Sequence, residues 1–136
     1  MRFRSLVLAL TCCAGTAAAA DQTTFVSPRV ADQEVSVENL AVQGGVTTAE
    51  LVNHANHPIH DIVVVVQYKY QWPREFAPGK ESPGHGEVVT IPETVQPGGS
   101  YAFRAPDGPP PTPAHGGHFD TVVRVISFDE VVPPGA

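Results

Sequence analysis

The stretch that decides the fold is IHDIVVVVQYKYQW, residues Ile59–Trp72. From Ile62 to Trp72 every second residue is large and apolar, while the positions between them change from valines to polar residues. A period of two is typical of a β-strand. The change on the second face predicts a strand that is buried on both faces at its start and on one face at its end.

Shorter β-branched runs surround this strand and are separated by clusters of glycine and proline. They lie at Glu34–Gln43, Val46–Asn53, Glu87–Ile91, Ser100–Arg104 and Phe119–Val132, with Phe25–Val30 as a candidate edge strand. No stretch shows a helical period. About seven strands with turn signals at this spacing predict an all-β fold without helices, a single antiparallel immunoglobulin-like β-sandwich.

The turn residues predict local geometry. In Glu34–Gln43 the apolar residues change face, which indicates a β-bulge near Glu38–Asn39. The pair Gly44-Gly45 is typical of a tight hairpin, and Pro97-Gly98-Gly99 fits a type II turn. Asn53 and Asn56 are both expected to cap a turn with their side chains. Irregular loops are expected at residues 73–86 and 105–118.

The first twenty residues have the pattern of a secretory signal peptide. Arg2 and Arg4 precede an apolar run, and small residues follow as far as Ala20. We therefore expect a leader at residues 1–20, a mature domain at residues 21–136, and a periplasmic or secreted location in a bacterium. Lipidation of Cys12 or Cys13 is disfavoured, because neither is preceded by the small residue that lipoproteins usually carry.

Composition excludes several function classes. Both cysteines belong to the predicted leader, so the mature domain would contain no disulfide and no thiolate site. The net charge of −6 is unfavourable for binding nucleic acid. After the leader, no apolar run approaches the ~20 residues of a membrane-spanning helix, so we expect no transmembrane segment in the mature chain.

Three segments resemble the FxLYD-type domains of exported bacterial proteins. They are Glu50–Val66 (ELVNHANHPIHDIVVVV), the pair of tyrosines in Tyr68-Lys69-Tyr70, and Val95–Phe103 (VQPGGSYAF). The sequence VQYKY stands where that family carries its Phe-x-Leu-Tyr-Asp pentapeptide. The resemblance implies an immunoglobulin-like sandwich with a binding or structural role.

His54, His57 and His60 are candidate metal ligands, since they surround the turn at Pro58 and imidazole suits zinc or copper(II). The alternative is that they are solvated turn residues. Asp61 is expected to leave the strand on the face opposite to His60, because neighbours on a strand alternate.

A partner surface is expected at Trp72, near a loop, and at Pro110, Pro111 and Pro113, which belong to a polyproline II segment. The alternative is that the aromatic residues of this strand, which end at Trp72, belong to the hydrophobic core. No nucleophile elbow or phosphate loop occurs, so no catalytic residue is assigned.

The leading hypothesis is a non-enzymatic periplasmic module without a cofactor, which contacts another exported protein or has a structural role. A histidine-based protein that binds zinc or copper(II) is the alternative. The oligomeric state is left open.

Overall fold

A computed structural model describes residues 22–26, 28–74, 83–111 and 116–132 of the chain. The predicted leader and Pro113 lie outside these described residues. The elements are β1 (Gln22–Val26), α1 (Pro28–Glu34), β2 (Val35–Gln43), β3 (Val46–Asn53), β4 (Ile59–Gln71), β5 (His85–Ile91), β6 (Ser100–Arg104) and β7 (His118–Val132).

The seven strands of the described residues form two antiparallel sheets. A four-stranded sheet has the order β1-β7-β4-β5, and a three-stranded sheet has the order β2-β3-β6. Consecutive strands change sheet four times, between β1 and β2, β3 and β4, β5 and β6, and β6 and β7. The predicted all-β sandwich is therefore confirmed.

The core lies between the two sheets, and strand β4 supplies much of it. Its inward residues are almost completely buried, with exposed fractions of 0% for Val64 and 1% for Tyr68. Leu51 and Phe103 pack from the opposite sheet, and Phe128 of β7 is also fully buried. The alternation predicted for the long strand is thus confirmed.

The expectation of a chain without helices is wrong at one place. Phe25–Val30 is not one edge strand, because β1 ends at Val26 and the helix α1 begins at Pro28. Proline suits the first helical position, where its fixed φ is helical and its missing N–H is not needed. Ala31 is completely buried, but a helix of seven residues is too short to show a period in the sequence.

The predicted turns are present. The register of β2 shifts between Glu38 and Ala41, and Asn39 has a φ of 51°. Gly44 and Gly45 both have positive φ in the β2–β3 hairpin, as a type I′ turn requires. The loops are shorter than predicted at their ends, because β5 begins at His85 and β7 at His118.

Candidate functional site

The turn that carries the candidate histidines is held by Asn53, which is completely buried at the end of β3. Its Oδ1 accepts a hydrogen bond from Ala55 N at 2.9 Å. Its Nδ2 donates to the carbonyl oxygens of His57 and Val95, each at 3.0 Å. The cap predicted at Asn53 is confirmed, and it also joins the turn to the chain segment that precedes β6. Asn56 is exposed, and no side-chain hydrogen bond is found for it among the described residues.

The structure separates the three candidate histidines. His54 Nε2 lies 2.8 Å from Ser36 Oγ, and His57 lies near Glu34. Only His60 belongs to the one group of at least three metal-ligating side chains found among the described residues, which it forms with Asp61 and Asp129. The metal ligands predicted at His54 and His57 are therefore not brought together with His60.

The expectation that Asp61 and His60 diverge is wrong, because a bulge interrupts β4 at this point. His60 is paired with Asp129 and Val63 with Ser127, so two residues of β4 lie opposite one residue of β7. Asp61 has a φ of 48° and is the extra residue of this bulge. Aspartate is one of the few residues that tolerate this backbone region, so its presence inside a strand was an available signal.

The bulge gathers one imidazole and two carboxylates. His60 Nδ1 lies 2.7 Å from Asp61 Oδ2, and the ligand atoms of His60, Asp61 and Asp129 all lie within 4.8 Å of one another. The side chains of His60 and Asp61 are 22% and 49% exposed. Such a group can share a proton between imidazole and carboxylate, or it can hold a divalent cation.

A serine–histidine contact at Ser36 and His54 does not have the polarity of a catalytic pair. The Ser36 hydroxyl donates its only proton to Glu38 Oε1 at 2.9 Å. His54 Nε2 must then donate to Ser36 Oγ, whereas a general base has to accept the serine proton. The carboxylate also contacts the serine and not the histidine, so the contact is not arranged for nucleophilic attack.

Two carboxyl groups meet where α1 joins β2. Burial, and then the neighbouring Glu130 carboxyl, raise the pKa of Glu34 above its ordinary value of 4.5, while His57 opposes this rise. The Oε2 atom of Glu34 is buried and has no hydrogen-bond partner among the described residues. The ionised form of Glu34 is therefore unfavourable in the folded protein.

Replacement of Glu34 by Gln is expected to stabilise the protein at pH 7 and to raise its melting temperature. The gain in free energy of unfolding should be less than about 1 kcal/mol, because solvent screens the interaction between Glu34 and Glu130. Because the pKa of Glu34 is higher in the folded than in the unfolded protein, its ionised form destabilises the fold. This destabilisation is complete above the folded-state pKa and disappears below the pKa of the unfolded state. The difference in melting temperature between variant and parent should therefore shrink as the pH falls towards 4.5, the ordinary pKa of glutamate. The control is Glu93→Gln, at an exposed position. An equal shift in both variants at every pH would contradict the prediction.

The aromatic stripe of β4 belongs mainly to the core. Tyr68 and Tyr70 are 1% and 8% exposed. Trp72 is half-buried and packs edge-on against Tyr70, with ring centroids 4.9 Å apart and planes at 88°. Only part of the Trp72 ring is therefore accessible to a partner.

The predicted prolines lie in a different place from Trp72. Pro111 is exposed, and Pro110 lines a groove of about 440 Å³ together with Pro109. The remaining lining residues come from β2 and β7 and are Leu40, Val42, His118, Phe119, Asp120 and Thr121. We call this feature the apolar groove. Sequence reasoning missed its β2 and β7 walls.

The aliphatic wall of the apolar groove arises from the bulge in β2. Beyond the bulge Val42 pairs with Thr47, which is completely buried, so Val42 lies on the core face of its sheet. Leu40 lies on the same face, two residues before Val42. Leu40 and Val42 are nevertheless 42% and 43% exposed. The space between the sheets is therefore open at this edge.

The proline wall of the groove is anchored to the core. The Tyr68 hydroxyl donates to the carbonyl oxygen of Asp107 at 2.9 Å and shares a second hydrogen bond with Thr47 Oγ1 at 3.1 Å. Burial raises the pKa of Tyr68 above 10.0, so the hydroxyl remains a donor. Gly108 lies so close to Gly45 O that a Cβ at this position would collide with it.

Comparison with models of known protein families, with curated proteins and with solved structures gives no significant match. No helix of the described residues is long and apolar enough to cross a membrane.

Proposed function

We propose that the chain is an exported, non-enzymatic bacterial module of the FxLYD-like, immunoglobulin-like class, which binds another exported protein in the periplasm or outside the cell. The observation that carries the proposal is the apolar groove, where Leu40 and Val42 of the core face remain exposed. The changes of sheet between β3 and β4 and between β5 and β6 support the immunoglobulin-like class. The leader pattern at residues 1–20 supports export.

The occupant that fits the apolar groove is an extended apolar segment of the partner, with basic residues beside it. Strand β2 is at the edge of its sheet, so its outer backbone groups can pair with an added strand. Leu40 and Val42 would then contact apolar side chains of that segment. The chain carries a net charge of −6, and the groove contains Asp120, so a basic partner is favoured by charge.

The polarity of the Ser36–His54 contact supports a non-enzymatic role, since the serine proton is donated to Glu38 and His54 does not act as its acceptor. A second candidate function, divalent metal binding, is favoured by the convergence of His60, Asp61 and Asp129. The two functions use different surfaces and can be tested separately.

A photo-crosslinking residue at position 42 of the exported chain is expected to give one adduct with a second protein. The matched control is the same residue at Val88, which is 66% exposed on β5 of the other sheet. Leu40→Glu should remove the adduct, because a charge in the groove opposes burial of apolar side chains. Mass spectrometry of the linked peptide should identify an apolar segment with basic residues.

Equal crosslinking from positions 42 and 88 would contradict the proposal, because it would indicate random collision. An adduct with a second copy of the chain, or with an acidic polar segment, would also contradict the choice of partner.

A further inference from the structure

We propose that His60, Asp61 and Asp129 form a binding site for a divalent transition-metal ion of the zinc or copper(II) class. The site lies on the four-stranded sheet at the β4 bulge. It is separate from the apolar groove, and its inference does not depend on the proposed partner.

The ligand atoms are already close to the separation that a zinc ion requires. Tetrahedral ligands at about 2.0–2.2 Å from zinc lie roughly 3.3–3.6 Å from one another. The ligand atoms of His60, Asp61 and Asp129 lie within 4.8 Å of one another. His60 Nδ1 and Asp61 Oδ2 are 2.7 Å apart and need to separate by less than about 1 Å.

The backbone beneath the three ligands is held by the core. Ile59 precedes His60, Ile62 follows Asp61 and Phe128 precedes Asp129, and each of these apolar residues is 0% exposed. The ligands therefore project from strands that cannot shift without disturbing the core. Ligands on rigid strands lose little conformational freedom when an ion binds.

The charges of the group favour a cation. The imidazole of His60 contacts one of the two carboxylates of the group, that of Asp61. Among the described residues, no hydrogen bond or ion pair is found for the carboxylate of Asp129. The group therefore holds two carboxylates beside one imidazole, and a divalent ion bound among them would neutralise both negative charges.

The donor types select the class of ion. One imidazole and two carboxylates suit zinc and copper(II), and no sulfur ligand is present in the group to favour copper(I). Three protein ligands leave at least one coordination position for water or for a donor from another molecule. The partial exposure of His60 and Asp61 leaves the group accessible to ions from solvent.

The test uses the purified exported chain after removal of metal with a chelator and dialysis. Titration with ZnCl₂, followed by calorimetry, should give one site, and the melting temperature should rise with zinc concentration. Asp129→Asn should weaken zinc binding by at least about tenfold. The electron paramagnetic resonance spectrum with one equivalent of Cu²⁺ should show coupling to a single imidazole nitrogen.

The matched control is the double variant His54→Gln/His57→Gln, which should bind zinc like the parent. If Asp129→Asn melts much lower without metal, Asp61→Asn replaces it, since asparagine also tolerates the positive φ of this position. Equal zinc affinity in the parent and the aspartate variants would overturn the proposal. Loss of zinc binding in the double histidine variant would overturn the proposal and would favour His54 and His57 as ligands. Coupling of Cu²⁺ to two or more nitrogens would overturn it for the same reason.

Discussion

Replacement of Val64 by Asp is expected to abolish soluble, folded protein. Val64 is 0% exposed and lies in the middle of β4, where it is paired with Val89 on one side and Val125 on the other. Among the described residues, the buried polar side chains are those of Thr47, Asn53 and Ser127, and none of them is basic. An unpaired buried carboxylate costs several kcal/mol, which is comparable to the whole stability of about 5–15 kcal/mol of a small domain.

The matched control is Val88→Asp, the same substitution at a position that is 66% exposed on β5. It should remain soluble and lose no more than about 1 kcal/mol. A graded variant, Val64→Ala, should fold and lose about 2–3 kcal/mol, through lost burial and the cavity that remains. Soluble expression and urea unfolding measure these effects. Equal damage from the two Asp variants would mean that the faces of the central sheet are wrongly assigned.

Replacement of Asn53 by Ala is expected to have the second largest effect, a loss of about 3–5 kcal/mol in the free energy of unfolding. The side chain makes three hydrogen bonds, with Ala55 N and with the carbonyl oxygens of His57 and Val95. In the Ala variant these partners lose their bonds in a buried place. Asn53→Asp should be worse, because a carboxylate oxygen would face the two carbonyl oxygens.

Asn56→Ala is the control for this prediction, since Asn56 lies in the same turn and is exposed. Its free energy of unfolding should change by no more than about 0.5 kcal/mol. Urea unfolding of the three variants and the parent measures the differences. A similar small loss in Asn53→Ala and Asn56→Ala would show that the buried hydrogen bonds do not hold the turn.

Several features of the fold could be predicted because they depend on residues that are neighbours in sequence. The alternation in β4 determined which residues face the core, and its even positions from Ile62 to Tyr70 are buried. The phase change in β2 indicated the bulge at Asn39, and the pair Gly44-Gly45 indicated the hairpin. In each case a short-range steric rule connects the sequence to the backbone.

The helix α1 and the apolar groove could not be predicted in this way. Helix α1 has too few residues for a period, and its one buried alanine, Ala31, is explained only by packing. Leu40 and Val42 have the sequence pattern of core residues, and they do lie on the core face of β2. Their exposure follows from the open space between the two sheets at this edge, which depends on the packing of the sheets.

The sequence by itself determined that this chain is an all-β sandwich with one long central strand, because alternation and turn chemistry act over a few residues. Only the tertiary structure decided which side chains meet in the candidate metal site. Asp129 is far from His60 in sequence and is placed beside it by the pairing of β4 with β7. A single extra residue at Asp61 then reverses the direction of every side chain that follows it. Spacing along the chain cannot reveal such a register, because the register is set by backbone pairing between distant strands.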